Sequence, residues 1–365
     1  MHKIFNLLVI ILLSQFCHAQ IDPVFDNLVW SDEFNNDTLN ISNWNIEVIG
    51  ETYNGEIQYY TDRTDNIKLE NGNLVITALE ETYTGPLTPW GDPTNTITRN
   101  YTSARINSNN KRQFQYGRFE ARIKLPYGNG VFPAFWLMGT DVTNWPANGE
   151  IDIMELVGGT QCSDCGDNIV HGTGWYENAG QNTTLQSASY QLFSGNFADN
   201  FHVFAVEWNS TTIKWFVDDV QFHSVTITGV EFTEFHNPMH ILLNFAIGGE
   251  WSGNPTTSTI FPQELIVDYV RVYQESITST SNVLNVAQTK IYPNPMSKFV
   301  IIELPIEVIG AQITITSVLG NEIMKYIQNE KNKNLDLSDL DPSVYFILVE
   351  NKRLKYKRNY KIICQ

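Results

Sequence analysis

The 365-residue sequence has few positive charges, few cysteines and few long hydrophobic runs. Only 23 Lys and Arg stand against 40 Asp and Glu, so the formal net charge is −17 at pH 7. Such a surface repels phosphate backbones and anionic lipid, and nucleic acid is therefore not an expected partner. With 42% hydrophobic and 17% charged residues, the chain can bury a core and is not globally disordered.

The long apolar run of the chain lies at its N-terminus. Lys3 precedes the apolar residues 5–13, and residues 17–19 are Cys-His-Ala. This order is typical of a secretory signal peptide, here residues 1–19, and the run is too short for a spanning helix. Lipidation at Cys17 is an alternative that the preceding residues do not favour. The sequence predicts a secreted or cell-surface protein.

Cysteine is scarce, with four residues in the chain. Cys17 belongs to the leader and Cys364 to the C-terminus, which leaves Cys162 and Cys165 in one Gly- and Asp-rich loop. A structural zinc site needs four ligands, and the sequence has neither a second Cys pair nor a His pair nearby. Because export permits disulfides, we expect this pair to close the loop as a disulfide, with zinc as the alternative.

Tryptophan and charge are unevenly distributed along the chain. All nine Trp lie before residue 285, and from there onward 11 Lys and Arg stand against 8 Asp and Glu. The polar stretch that starts at 276 has no hydrophobic periodicity, which is typical of a linker. We therefore predict an acidic domain at 21–274, a linker at 275–284 and a separate unit at 285–365.

The larger segment has the periodicity of β-strands. Residues 118–125 alternate between apolar and polar, and similar runs occur at 203–208, 212–217 and 265–273. The Asn71-Gly72 pair favours a hairpin, because both central positions of that turn need positive φ. No amphipathic helix exceeds about two turns. The predicted fold class is all-β, a large antiparallel sandwich with a small second β-module in the tail.

The main chemical signal is a cluster of carboxylates. Glu150, Asp152 and Glu155 lie within six residues of an otherwise apolar strand. In a regular strand Glu155 would point away from the other two, and one bulged residue near 153–154 would return it to their face. Carboxylates about 5–5.5 Å apart suit a retaining glycosidase, which uses one as nucleophile and one as acid. A solvated acidic strand or a calcium site is the alternative.

Like charges this close cannot all ionise easily, so we expect the cluster to keep at least one proton near neutral pH, with Glu155 as the acid. Side chains elsewhere offer what a neutral sugar needs, namely aromatic faces and hydroxyl partners. The aromatic candidates are Trp136, Trp145, Trp175 and Trp251, and the hydroxyl partners are Asn54, Arg105 and His171. For each Trp, burial in the core is the alternative.

Residues 144–155 read Asn-Trp-Pro-Ala-Asn-Gly-Glu-Ile-Asp-Ile-Met-Glu, which resembles the active-site strand of glycoside hydrolase family 16, especially its laminarinases, the endo-β-1,3-glucanases. The resemblance covers about 28–274, with supporting segments that include 30–34, 57–61, 103–106, 116–120, 133–139 and 268–272. It implies a concanavalin-like β-jelly roll in which Glu150 is the nucleophile, Asp152 its assistant and Glu155 the acid/base. Catalysis needs no organic cofactor.

The resemblance also implies a structural calcium ion. Its ligands would be Glu33, the carbonyl of Gly72, and Asp268, since hard oxygen ligands suit calcium. Ion pairs of the two carboxylates with surface bases are the alternative. Three residues depart from the laminarinase pattern, and they concern the sugar preference rather than the carboxylates: Phe132, Trp175 and Glu250.

The tail carries a second resemblance. Residues 291–295, Ile-Tyr-Pro-Asn-Pro, and residues 337–346 are similar to the C-terminal sorting domain of bacterial type IX secretion. Such a domain implies outer-membrane secretion machinery as a partner. A carbohydrate-binding module is the alternative, but the tail has no Trp on which sugar could stack.

The sequence as a whole predicts a secreted, monomeric, retaining endo-hydrolase of β-1,3-linked or mixed β-1,3/1,4 glucan such as laminarin, a neutral polysaccharide. Four alternatives stay open at this point. They are the same mechanism on an algal galactan, transglycosylation, a non-catalytic glucan-binding protein and a purely structural adhesin.

Overall fold

The computed structural model describes residues 25–140, 143–275, 289–318, 320–351 and 356–364. The predicted signal peptide, Cys17 and most of the predicted linker lie outside them. The chain divides into two compact units at 276/277. Helix in the described residues is limited to two 3₁₀ segments, Val230–His236 and Ile306–Val308, and none of it is long or apolar enough to cross a membrane.

The first unit consists of nineteen described strands. In chain order they are β1 (Asn27–Asp32), β2 (Asn45–Ile46), β3 (Gln58–Tyr60), β4 (Ile67–Glu70), β5 (Asn73–Pro86), β6 (Thr96–Ser103), β7 (Arg105–Asn107), β8 (Gln113–Phe114), β9 (Gly117–Lys124), β10 (Val131–Gly139), β11 (Glu150–Glu155), β12 (Ile169–Asn178), β13 (Gln181–Thr184), β14 (Ala188–Gln191), β15 (His202–Trp208), β16 (Thr212–Val217), β17 (Val220–Thr226), β18 (Met239–Ile247) and β19 (Gln263–Gln274).

These strands form two sheets, which we call the supporting sheet and the cleft sheet. The supporting sheet has the order β17-β16-β15-β9-β19-β5-β6-β3, with β1 beside β19 and β4 beside β5. The cleft sheet has the order β13-β12-β11-β10-β18-β7-β2, with β14 beside β12 and β8 beside β18. All pairs are antiparallel except β3 with β6. The predicted all-β jelly-roll class is confirmed.

Alternating apolar residues build the core between the two sheets. Phe119, Ala121 and Ile123 of β9 are fully buried, as the period-two pattern predicts. The cleft sheet contributes residues such as Ile151 and Leu243 to the same core. The predicted strands at 118–125, 203–208, 212–217 and 265–273 correspond to β9, β15, β16 and β19.

The predicted hairpin turn is present between β4 and β5. Asn71 and Gly72 have φ values of 53° and 75°, which is the conformation that an Asn-Gly turn supplies. The turn joins two strands that pair in register from Ile67 with Ile76 to Glu70 with Asn73.

A hydrogen bond crosses from the supporting sheet to the strand that carries the acids. The indole of Trp215 on β16 is fully buried and donates to the backbone oxygen of Asp152 on β11 at 2.8 Å. A Cβ on Gly172 would lie 2.6 Å from this indole, so glycine at 172 gives the ring room to approach β12. The backbone of β11 is therefore held in place by a residue of the supporting sheet.

The second unit is a small β-structure with its own core. It contains β20 (Lys290–Tyr292), β21 (Phe299–Glu303), β22 (Ala311–Ser317), β23 (Glu322–Gln328), β24 (Asn332–Asp336), β25 (Val344–Asn351) and β26 (Tyr356–Ile363). They form sheets of order β20-β21-β24 and β23-β22-β25-β26. Val300, Ile313 and Ile347 are fully buried between them.

Candidate active site

A β-bulge in β11 places the three acids on one face. The pairing of β11 with β12 shifts between Asp152 and Glu155, and its pairing with β10 shifts at the same place. Ile153 and Met154 are consecutive, and both are buried in the core. Two successive inward residues are what one extra residue in a strand produces. The predicted bulge is confirmed.

The register of neighbouring strands identifies the side chains that share this face. Residues directly opposite on antiparallel strands lie on the same side of a sheet. On β10 the partners of the acids are Ala134, Trp136 and Met138, and on β12 they are His171, Thr173 and Trp175. One step further, β18 and β7 add Asn244 and Arg105. The strands thus bring four of the candidate binding residues to the acids.

Glu150 is held by an indole. The Trp145 N–H donates to its Oε2 at 3.0 Å, and the Trp145 ring lies 5.4 Å from that of Trp175, the residue opposite Glu150. Burial raises the pKa of Glu150 to about 7, while the Trp145 donor, the Arg105 charge and a hydrogen bond from Asp152 act against this rise. Glu150 is therefore the acid of the cluster whose charged form receives the most help.

Asp152 and Glu155 are disposed to keep their protons. Burial raises the pKa of Glu155 to about 8, and the negative charges of Glu150 and Glu56 add to the effect. Asp152 is 3% exposed, and burial together with its two acidic neighbours holds its pKa well above the usual range. A protonated Asp152 can donate to Glu150. The expectation that the cluster retains a proton near neutral pH agrees with these shifts.

Arg105 forms the cationic wall of the site. Its guanidinium lies 3.2 Å from Glu47 and stacks 5.1 Å above the ring of Trp136. The Trp136 indole is fixed in turn, because its N–H donates to Asn244 Oδ1 at 2.7 Å. Trp136 is only partly buried, so part of this ring remains open towards the cleft. Arg105 and Trp136 thus hold each other in place by a cation–π contact.

The remaining candidates lie at the rim. Asn54 is exposed, and its backbone oxygen accepts from the Glu250 N–H at 2.7 Å. Trp251 packs 5.8 Å from Phe132 and 4.9 Å from His171. Trp251 belongs to the loop 248–252 that follows β18, and Asn54 is bonded to the same loop through Glu250.

Sequence reasoning missed two acids beside the site, Glu47, which pairs with Arg105, and Glu56. Glu56 is largely buried and accepts from Gln58 Nε2 at 2.8 Å, and burial raises its pKa. Gln58 in turn accepts from the Ile247 N–H, which fixes the segment to β18. Glu56 lies on an irregular segment before β3, so no strand periodicity pointed to it. The signal that was available is its place two residues after Asn54.

The predicted disulfide is present. Cys162 and Cys165 are bonded, and their Cα atoms lie 5.1 Å apart. This geometry confirms the prediction over the zinc alternative. Among the described residues Cys364 is the free cysteine, and it is buried in the second unit.

The residues expected to bind calcium lie in or beside the supporting sheet. Arg271 donates to both oxygens of Glu33, at 2.9 and 2.8 Å, and Arg122 donates to Asp268 at 2.6 Å. The donor set has the hard oxygens that calcium prefers. Both carboxylates are nevertheless neutralised by arginine, and the described part of the chain contains no group of three acidic, His or Cys side chains that could hold a metal. The arrangement is that of the ion-pair alternative, and calcium stays a prediction.

Two family descriptions match the chain. Residues 54–265 match "Glycosyl hydrolases family 16", and residues 290–365 match "Secretion system C-terminal sorting domain". The first match contains the three acids and the bulge. The second corresponds to the smaller β-unit and confirms the sorting-domain prediction over a carbohydrate-binding module.

Known glucanases are similar to the chain in sequence and in structure. The chain is 37% identical over 262 residues to a beta-glucanase of Rhodothermus marinus, which covers 68% of this chain and 85% of that protein. It is 36% identical over 270 residues to glucan endo-1,3-beta-glucosidase A1 of Niallia circulans, and spans 38% of that relative and 68% of itself. The laminarinase catalytic domain of Thermotoga maritima matches with a TM-score of 0.58 at 35% identity, over 68% of this chain and 98% of that domain.

The raised pKa of Glu155 leads to a prediction about stability. A carboxyl whose pKa is raised on folding stabilises the protein below its unfolded pKa of 4.5, and this contribution is lost as pH rises through the folded value of about 8. Gln at 155 does not titrate. We expect the free energy of unfolding of Glu155→Gln to equal that of the wild type near pH 4.5 and to exceed it by about 1–3 kcal/mol near pH 8. The difference is smaller than the whole pKa shift would give, because the side chain is partly open to the cleft and solvent weakens the effect.

Calorimetry of the larger unit's transition at several pH values measures this difference. Glu177→Gln, an exposed position on β12, is the matched control and should follow the wild type throughout. A Glu155→Gln curve parallel to the wild type from pH 4.5 to 8 would show that Glu155 is not buried as a neutral acid.

Proposed function

The chain belongs to glycosyl hydrolase family 16, and from this membership we propose that it is a retaining endo-hydrolase of β-1,3-linked or mixed β-1,3/1,4 glucan. The protein is a glycoside hydrolase, and its C-terminal sorting domain directs it to secretion or the cell surface. The observation that carries the proposal is the bulge between Asp152 and Glu155, which brings two glutamates with different environments to one face.

Glu150 acts as the nucleophile in this proposal. Its carboxylate attacks the anomeric carbon and forms a glycosyl-enzyme ester, while the bond to the leaving oxygen breaks. The Trp145 N–H and the Arg105 charge support the ionised form that attack requires. Asp152 assists as a protonated neighbour that donates to Glu150.

Glu155 acts as the acid and then as the base. Its raised pKa keeps a proton available for the leaving oxygen near neutral pH. Once the ester has formed, the ionised Glu155 takes a proton from water, and the resulting hydroxide equivalent releases the sugar from Glu150. The negative charges of Glu150 and Glu56 raise the proton affinity of Glu155, so conversion of Glu150 to a neutral ester lowers it at the step where a base is needed.

A neutral glucan fits the lining of this site. The half-open rings of Trp136, Trp175 and Trp251 offer faces for the C–H surfaces of sugar, and Asn54, Arg105 and His171 offer hydrogen-bonding groups. The relatives named beta-glucanase and glucan endo-1,3-beta-glucosidase support the glucan class. An algal galactan is the second candidate, because Phe132, Trp175 and Glu250 depart from the laminarinase pattern.

Replacement of the nucleophile separates chemistry from binding. We expect Glu150→Gln to lower kcat on laminarin by about 1,000-fold or more while polymer binding is largely kept, because Gln preserves shape but cannot attack. Reducing-sugar release and affinity electrophoresis measure the two properties. Glu177→Gln serves as the control on β12 and should keep full turnover. Unchanged turnover of Glu150→Gln contradicts the assignment.

A panel of polymers tests the substrate. We expect release of reducing ends from laminarin and lichenan and none from agarose, with early products of mixed length as endo-cleavage gives. The Glu150→Gln variant supplies the background rate. Hydrolysis of agarose without laminarin would favour the galactan candidate, and products longer than a supplied oligosaccharide would indicate transglycosylation.

Calcium at Glu33, Gly72 and Asp268 is a separate proposal, supported by its hard oxygen donors and independent of catalysis. Binding to the folded state alone raises Tm by mass action. We expect calcium to raise the Tm of EGTA-treated protein by several degrees, and we expect Asp268→Asn to lose this rise. Equal melting curves with calcium and with EGTA would favour the ion pairs with Arg271 and Arg122.

A further inference from the structure

The loop between the acid strand and the next strand is closely anchored. It runs from 156 to 168, between Glu155 at the end of β11 and Ile169 at the start of β12. Asp167 Oδ1 accepts from the backbone N–H groups of Gly128 and Gly159, at 2.8 and 3.0 Å. Gln161 donates to the Asn254 backbone oxygen at 2.6 Å. Residues on both sides of segment 162–165 are therefore fixed to neighbouring loops.

Segment 162–165 itself is held differently. The disulfide joins its two ends, and the side chains of Ser163 and Asp164 face solvent. Its hydrogen bond to the rest of the described chain is made by the Asp164 backbone oxygen, which lies 3.1 Å from His171 Nε2. The disulfide thus closes segment 162–165 into a ring, and the Asp164 carbonyl of this ring contacts the His171 imidazole.

This contact determines the tautomer of His171. A carbonyl oxygen only accepts, so the proton of the bond lies on Nε2. Burial lowers the pKa of His171, which keeps the ring neutral near neutral pH. A neutral imidazole with its proton on Nε2 has a lone pair on Nδ1. His171 therefore offers an acceptor from Nδ1 while its other nitrogen is occupied by the loop.

The position of His171 indicates which part of the substrate this acceptor would meet. His171 is the cross-strand partner of Glu155, the proposed acid, and its ring packs 4.9 Å from Trp251. An acid that protonates the leaving oxygen lies beside the departing sugar. A hydroxyl on that sugar is thus the group that could donate to His171 Nδ1, with Trp251 as the adjoining aromatic face.

We propose that the Cys162–Cys165 disulfide, through the Asp164 carbonyl, positions His171 as a hydroxyl acceptor for the sugar on the leaving-group side of the cleft. The disulfide is a positioning element in this scheme, and His171 is the group that touches substrate. The inference rests on the proposed function, because the leaving-group side is defined by Glu155 acting as the acid.

A double-mutant cycle tests the coupling between disulfide and imidazole. The variants are Cys162→Ser/Cys165→Ser, His171→Phe, which keeps a ring against Trp251, and their combination. We expect loss of the disulfide to lower kcat/KM on laminarin about three- to tenfold in the wild type, the size of one lost hydrogen bond. In the His171→Phe background the same loss should change kcat/KM by less than about twofold.

The outcomes of the cycle separate positioning from general stabilisation. Ser163→Ala is the control within the same loop and should keep the wild-type kcat/KM. An equal loss in both backgrounds would mean that the disulfide acts elsewhere, and no loss in the wild type would mean that it has no role in the site. Either result overturns the proposal. Failure of the wild type on every polymer would instead count against the proposed function.

A second measurement does not depend on turnover or on a folded disulfide variant. In ¹⁵N-labelled wild-type protein, the His171 signals, identified by their loss in His171→Phe, should show Nε2 protonated and Nδ1 unprotonated. Cleavage of the disulfide should shift these signals towards the mixture of tautomers of a free imidazole. A wild-type ring with its proton on Nδ1 overturns the inference, as does a tautomer that is the same without the disulfide.

Discussion

One extra residue in a buried strand determines where the acids of this protein lie. Without it, Glu155 would point into the core, where an unpaired carboxylate costs far more than the local distortion. With it, Ile153 and Met154 both face inward, and the core receives two apolar side chains where a regular strand would supply one. The same bulge therefore places two apolar side chains in the core and all three acids on the face of the site.

The acids that result are costly to bury, and the surrounding fold is built to hold them. Trp215 donates from the supporting sheet to the Asp152 backbone oxygen, which fixes the middle of the strand that carries the acids. The environment is also unequal along the strand. An indole N–H and a guanidinium act on Glu150, whereas Glu155 is influenced by two further carboxylates. Burial raises the pKa of both residues, to about 7 for Glu150 and about 8 for Glu155, so Glu150 is the first of the two to lose its proton, as the proposed double displacement requires.

Much of this could be predicted from sequence, because alternation and spacing are local properties. Period-two runs located β9, β15, β16 and β19, and the spacing of Glu150, Asp152 and Glu155 required a bulge if all three were to share a face. Contacts between distant segments could not be predicted in this way. Glu56 lies on an irregular segment, and its closeness to Glu155 depends on the hydrogen bonds that join residues 57 and 58 to Ile247 at the end of β18. The pairing of Glu33 with Arg271 and of Asp268 with Arg122 likewise depends on which distant strands become neighbours, and residue spacing does not give this information.

The charge of the cleft restricts the substrate as well as the chemistry. Glu47 and Glu56 join the three acids of β11, and Arg105 is the cation that acts on both Glu56 and Glu150. A site with this excess of negative groups retains protons, since each carboxylate raises the proton affinity of its neighbours. Sulfated or uronic-acid polymers would add further negative charge beside these groups, and burial of that charge in the groove would be costly. An uncharged polysaccharide pays no such penalty, and its hydroxyls can donate to the acids that remain ionised. The arrangement that keeps a proton on Glu155 is therefore compatible with the neutral glucan of the proposed function.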